Sequence, residues 1–76
     1  MTETYTPAAR AMMTALADEA CARWTASMEY DATMAADYRA HVEERLAATA
    51  ADCLRMTGEV LESALRDDLR MGGYVD

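Results

Sequence analysis

The chain has 76 residues and a mass of 8.4 kDa, which is enough for one small domain. Fourteen acidic residues against seven arginines give a net charge of −7. This length excludes dinucleotide-binding and barrel enzymes, which need longer chains. The charge excludes direct binding to the phosphate backbone of a nucleic acid, which needs excess positive charge. The hydrophobic fraction of 53% is too high for a disordered chain, although 17 alanines supply much of it.

The N-terminal residues 1–6 are mostly polar and are predicted to be flexible. They contain no basic region followed by an apolar run, which is the pattern of a secretory signal peptide. No stretch of the sequence approaches the roughly 18 consecutive apolar residues that indicate a membrane span. We therefore expect a cytoplasmic protein that makes no membrane contact and keeps its two cysteines as free thiols.

The first helix is predicted to begin at Pro7 and to end near Met28. Thr6 offers an N-cap oxygen, and Pro7 has the preset φ that favours the first helical position. No glycine or proline occurs between Ala8 and Thr57, and most apolar positions are spaced by three or four residues. These positions are Ala9, Met12, Met13, Leu16, Ala20, Trp24 and Met28.

A break between two helices is predicted near residues 28–32. The segment from Thr25 to Thr33 is rich in side chains that compete with the backbone for hydrogen bonds, and Ser27 or Asp31 is suited to cap a second helix. The alternative is one continuous helix of about 50 residues, which would need a coiled-coil partner along its whole length. We favour the break.

The second segment shows the clearest periodicity in the chain, because its apolar positions alternate steps of four and three, as in a coiled-coil seam. The seam comprises Val42, Leu46, Thr49, Cys53, Met56 and Val60. A second row beside it comprises Ala50, Leu54, Leu61 and Leu65. The apolar face is therefore wider than a two-stranded seam, which predicts contact with more than one neighbouring helix.

Gly58 interrupts this segment and leaves two interpretations open. In the first, the helix continues through Gly58 with a kink, since Val60 keeps the heptad phase; in the second, a third short helix follows Gly58. We favour continuity. Gly72 then ends the helical domain, which is predicted to span residues 7–71 and to be followed by a flexible tail, residues 72–76.

The predicted fold is an all-α helical hairpin that pairs with a second copy in a dimeric bundle of four helices. A chain of this size buries only about 60% of its unfolded surface, so self-association is a common way to enlarge the core. The predicted interface comprises Trp24, Val42, Leu46, Cys53, Met56 and Val60.

The sequence offers one weak candidate for a metal site. Asp37, His41 and Glu44 share a helix face, and a hairpin turn near residue 30 would place Cys21 at a similar height to His41. A single histidine without a repeated ligand pattern is more typical of a salt-linked surface side chain. We therefore expect no metal, no cofactor and no catalytic residue.

These features indicate a non-enzymatic module for protein–protein interaction, with no direct contact to nucleic acid. Its negative charge suits a basic partner that itself handles nucleic acid, and the most concrete form is an inhibitor or an antitoxin-like regulator. Because the carboxylates are mixed with arginines, solubility explains the charge equally well. The alternatives are a small bundle that holds a metal or cofactor and a structural subunit of a larger assembly.

Overall fold

The computed structural model describes residues 6–53 and 55–76, and it shows these residues as a bundle of three α-helices without strands. The elements are α1 (Pro7–Thr25), a short 3-10 helix (Ala32–Met34), α2 (Ala35–Asp52) and α3 (Gly58–Met71). Each α-helix contacts the other two. The all-α class is confirmed, with three α-helices where we favoured two. None of the helices in these ranges has the length and apolar composition needed to cross a lipid bilayer.

The start of α1 confirms the prediction from Thr6 and Pro7. The Thr6 hydroxyl oxygen accepts a hydrogen bond from the backbone N–H of Ala9 at 3.0 Å, and Pro7 occupies the first helical position. Residues 1–5 of the predicted flexible segment 1–6 lie outside the described residues, and Thr6 is described.

The predicted break between the first two helices is confirmed, although α1 ends at Thr25 and not near Met28. The 3-10 helix that follows is capped by Asp31, whose carboxylate accepts from the backbone N–H of Thr33 at 3.0 Å and from its hydroxyl at 2.7 Å. These two hydrogen bonds lower the pKa of Asp31, so the cap stays ionised to a lower pH than an ordinary aspartate.

The predicted continuity through Gly58 is wrong. Helix α2 ends at Asp52, and α3 begins at Gly58, whose φ of +55° belongs to the left-handed region. The structure therefore has two separate helices where we favoured one helix kinked at Gly58, since a positive φ is compatible with glycine but not with a continuing right-handed helix. Leu54, which the second apolar row included, lies outside the described residues.

Substitution of Gly58 by alanine tests this turn through the sign of its effect. In a continuous helix, alanine would stabilise the protein by about 1 kcal/mol relative to glycine. At a φ of +55°, where the Cβ meets nothing within 4 Å, the backbone strain instead destabilises it by about 1 kcal/mol. Urea denaturation of both proteins distinguishes the two signs, and a more stable G58A variant would contradict the turn.

The core combines leucines and a valine with several alanines. Leu46, Leu65 and Leu69 are at most 1% exposed, and Leu16 and Val42 join them at the centre of the bundle. The alanines at positions 9, 17, 20 and 50 are also buried. Small side chains on α1 bring its backbone close to the other helices, so the leucines of α2 and α3 fill the space between them.

The C-terminal residues 72–76, predicted to form a flexible tail, pack against the bundle. Val75 is 2% exposed and belongs to the core, and the Arg23 guanidinium donates to the Gly73 carbonyl at 2.6 Å and to the Asp76 carboxylate at 3.0 Å. Gly73 has a φ of +83°, which reverses the chain after α3. An apolar Val75 and a distant arginine therefore contact the segment that local composition marks as mobile, and its flexibility stays a prediction.

Candidate functional site

An aromatic cluster covers the end of the bundle at which α1 ends and α2 begins; we call this region the aromatic end. Trp24, in the last turn of α1, stacks on Tyr38 in α2 with ring centroids 4.2 Å apart and planes 8° apart. Tyr30, from the connection between the helices, meets Trp24 edge to face at 5.1 Å. Both arrangements are favoured by aromatic quadrupoles, so the three rings pack as one cluster.

The C-terminal segment adds Tyr74 to this cluster. The Tyr74 ring lies 6.1 Å from the Tyr38 ring, and its hydroxyl is hydrogen-bonded to Nε2 of His41 at 2.6 Å. The Arg45 guanidinium lies 5.3 Å from the Tyr74 ring centre, within range of a cation–π interaction. Residues from α1, α2 and the C-terminal segment therefore meet in one cluster.

The position of Tyr74 depends on the absence of a side chain at Gly72. A Cβ at residue 72 would lie 2.7 Å from a ring carbon of Tyr74 and 2.9 Å from an Arg45 nitrogen. We expect Gly72→Ala to displace the Tyr74 ring, to weaken the near-ultraviolet circular dichroism of the cluster and to cost about 1 kcal/mol of stability. A variant with the spectrum and stability of the original protein would contradict this close approach.

A groove of about 560 Å³ opens beside the cluster, and both the cluster and the chain after α3 line it. Its lining includes the aromatic residues Trp24, Tyr38 and Tyr74 together with Met28 and Glu29. Met28 is fully exposed, at 103% of its reference area. Burial raises the pKa of the Tyr38 phenol, and the neighbouring groups Cys21, Tyr74 and Glu29 add to the increase.

Arginines tie the helices to one another on the surface of the bundle. Three of them pair with carboxylates on another helix: Arg39 with Asp18 (2.8 Å), Arg45 with Asp68 (2.8 Å) and Arg66 with Glu19 (2.8 Å). Each pair links a different combination of helices, and two further arginines pair with Asp67 and Asp76. Five of the seven arginines are therefore engaged by carboxylates of the same chain.

The pair between Arg45 and Asp68 is the most enclosed of these. Arg45 donates from Nε to Oδ2 of Asp68 at 2.8 Å, and the Thr49 hydroxyl donates to the same oxygen at 3.0 Å. Arg45 and then Thr49 hold the pKa of Asp68 below its usual range, against the opposing effect of burial. This network joins α2 to α3 next to the Tyr74 ring, since Arg45 contacts both the Asp68 carboxylate and that ring.

The predicted interface residues fall in three different environments. Val42 and Leu46 are at most 1% exposed inside the single chain, where both α1 and α3 pack against α2. Cys53 and Met56 line an apolar groove of about 370 Å³ at the opposite end from Trp24, and Val60 is 62% exposed. The seam is thus divided between the core and the surface, and the dimeric bundle stays a prediction.

The predicted metal candidates do not form a site in the part of the chain that the structure describes. Cys21, Asp37, His41 and Glu44 belong to no group of three or more ligating side chains that could hold an ion there. His41 is instead bonded to the Tyr74 hydroxyl, and both Cys21 and Cys53 are free thiols.

Sequence reasoning identified Trp24 but missed Tyr30, Tyr38 and Tyr74. A signal for one of them was present: Trp24 and Tyr38 lie seven residues on either side of Asp31, so a turn centred there brings them together. No local pattern places Tyr74, which is 50 residues from Trp24. Comparisons with protein-family models, curated proteins and solved structures find no match for the chain.

Proposed function

We propose that this protein is a non-enzymatic, acidic helical module that binds a basic, nucleic-acid-handling protein and inhibits it in the manner of an antitoxin. The observation that supports the proposal is the engagement of arginines within the bundle. The guanidinium groups of Arg39, Arg45 and Arg66 form ion pairs with carboxylates on neighbouring helices. Each pair removes one positive and one negative charge, so the net charge of −7 remains on acidic side chains, many of which are exposed to solvent.

Such a surface favours a basic partner for two physical reasons. Complementary charge accelerates the encounter of the two proteins, and it disfavours contact with the acidic proteins that make up much of a cell. The surface of a nucleic-acid-handling protein that attracts phosphates also attracts carboxylates. Binding of this chain to that surface would exclude the nucleic acid, which is the basis of the proposed inhibition.

The proposal is tested by capture followed by competition. The full chain, immobilised, is exposed to a lysate of its native host at about 50 mM salt, and retained proteins are eluted with increasing salt, identified and purified. We expect a basic protein whose labelled nucleic-acid ligand is released by a stoichiometric amount of the free chain, as followed by fluorescence anisotropy. Continued nucleic-acid binding in tenfold excess of the chain would refute the proposal, as would recovery of only non-basic proteins.

A further inference from the structure

Helix α3 carries an apolar line on its solvent side. Its three leucines are buried against the other helices, whereas Val60 and Met71 are 62% and 87% exposed. Residues eleven apart in an α-helix are separated by about three turns and point within about 20° of the same direction. Val60 and Met71 therefore form one line about 16 Å long, with the half-buried Ala64 between them.

A line of charged side chains runs beside the apolar line. Glu59 and Arg70 are also eleven residues apart, and each directly precedes one end of the apolar line in the sequence. Glu59 is exposed in the first turn of α3, and the Arg70 side chain is 51% exposed although it pairs with Asp67 at 2.7 Å. The charged line is therefore acidic where the helix begins and basic where it ends.

A second copy of α3 in antiparallel orientation is complementary to both lines. In a pair related by a two-fold axis, each line faces the same line of the second copy, running in the opposite direction. Val60 would then face Met71 of the second copy, and Glu59 would face its Arg70. One register serves both contacts, because the midpoints of the two residue pairs differ by one position, which is about 1.5 Å along the axis. A parallel pair would place equal charges against each other, so the charges favour the antiparallel arrangement.

The surface between the two lines permits close approach of the two helices. Ser63 and Asp67 are exposed there, and the small side chains of Ser63 and Ala64 leave room for a facing helix at the usual distance of about 8–10 Å between axes. In the same register Ser63 would lie opposite Asp67 of the second copy, where its hydroxyl can donate to the carboxylate. Asp67 keeps its own pair with Arg70, which compensates its charge at the centre of the contact.

We propose that the solvent side of α3 is an interface between two copies of this chain, which pair antiparallel about a two-fold axis at the level of Leu65. This surface differs from the seam predicted from the sequence, of which it keeps only Val60. A single pair of helices buries less than the roughly 1,200 Å² of a standard interface, so the dimer is reversible, forming at about 100 µM and dissociating at low micromolar concentration. The inference does not depend on the proposed function.

Sedimentation equilibrium of the full chain between about 5 and 300 µM tests for the dimer. Salt of about 150 mM screens the repulsion between two copies of charge −7 beyond about 8 Å. We expect the mass to rise from 8.4 kDa towards twice that value and to go no higher, because a two-fold interface is closed. A mass that stays at 8.4 kDa, or one that passes beyond the dimer, would overturn the inference.

A charge exchange tests the orientation of the pair. Glu59→Arg and Arg70→Glu each place like charges opposite each other, and each should weaken association at least about fivefold. The double variant exchanges the two charges and restores opposite signs across the antiparallel contact, so its association should return to within about twofold of the original. A double variant that associates no better than the single variants would overturn the inference, because the two residues would then not face each other.

Two methionine variants test the location of the contact. Met71→Asp should weaken association at least about tenfold, because it places a carboxylate in the apolar line. Met28→Asp is the matched control, since Met28 is fully exposed in the connection between α1 and α2 and receives the same charge. It should leave association within about twofold, and far-ultraviolet circular dichroism checks that both variants stay folded. Equal loss in the two variants, or a larger loss in Met28→Asp, would place the second copy elsewhere and overturn the inference.

Discussion

Replacement of Leu65 by alanine should lower the free energy of unfolding by about 2–5 kcal/mol. Leu65 is fully buried at the centre of α3, and its loss leaves a cavity lined by side chains that the short helices cannot fully close. A small domain has a total stability of only about 5 kcal/mol or slightly more. The variant should therefore be largely unfolded at modest urea concentrations, as followed by far-ultraviolet circular dichroism.

Val60→Ala is the matched control for this prediction. Val60 belongs to the same helix and was predicted to share a continuous seam, but it is 62% exposed. Its truncation should change the free energy of unfolding by no more than about 0.5 kcal/mol. If Val60→Ala were as destabilising as Leu65→Ala, the assignment of the inner face of α3 would be incorrect.

Substitution of Asp68 by alanine should destabilise the protein by about 1–2 kcal/mol. It removes the carboxylate that accepts from both Arg45 and Thr49, and it leaves two half-buried donors on α2 without that acceptor. Asp67→Ala is the control, because Asp67 pairs with Arg70 on the open surface, where an ion pair contributes about 0–1 kcal/mol. Urea denaturation at neutral pH should therefore show a larger loss in the free energy of unfolding for Asp68→Ala than for Asp67→Ala. An equal loss would contradict the cross-helix role of Asp68.

The lowered pKa of Asp68 predicts how the free energy of unfolding depends on pH. Asp68 binds its proton more weakly in the folded chain than in the unfolded chain, where its ordinary value is 3.8. The stabilisation is therefore complete above that pH and is lost as the pH falls through the lower folded pKa. Denaturation curves between about pH 6 and 2 should show a smaller acid loss for Asp68→Ala than for the original protein. Identical acid profiles would mean that the pair does not stabilise the fold.

The parts of the fold that depend on local chemistry were predictable from the sequence. Thr6 and Pro7 specify the start of α1 because their effects act within one turn, and the break before Asp31 follows from side chains that compete with the backbone. The turn at Gly58 was not predictable from periodicity, since Val60 keeps the heptad phase although α2 ends at Asp52 and α3 begins at Gly58. Phase reports only the spacing of apolar residues, whereas the positive φ of Gly58 is a property of the backbone.

The candidate site was harder to predict because it depends on contacts between distant segments. Trp24 stood out as the only tryptophan, but its stacking partner comes from α2 and Tyr74 comes from a segment that looked mobile. That segment is held by Val75 in the core and by two hydrogen bonds from Arg23. Neither contact has a signature in local composition.

The central claim is that the outward acidic surface binds a basic partner, and the salt dependence of that binding tests it most directly. The affinity of the chain for the captured and purified partner is measured by titration between about 50 and 500 mM salt. We expect the affinity to fall at least about tenfold over this range, because attraction between exposed charges is screened as the Debye length shortens. An affinity that stays constant across the range would contradict the account.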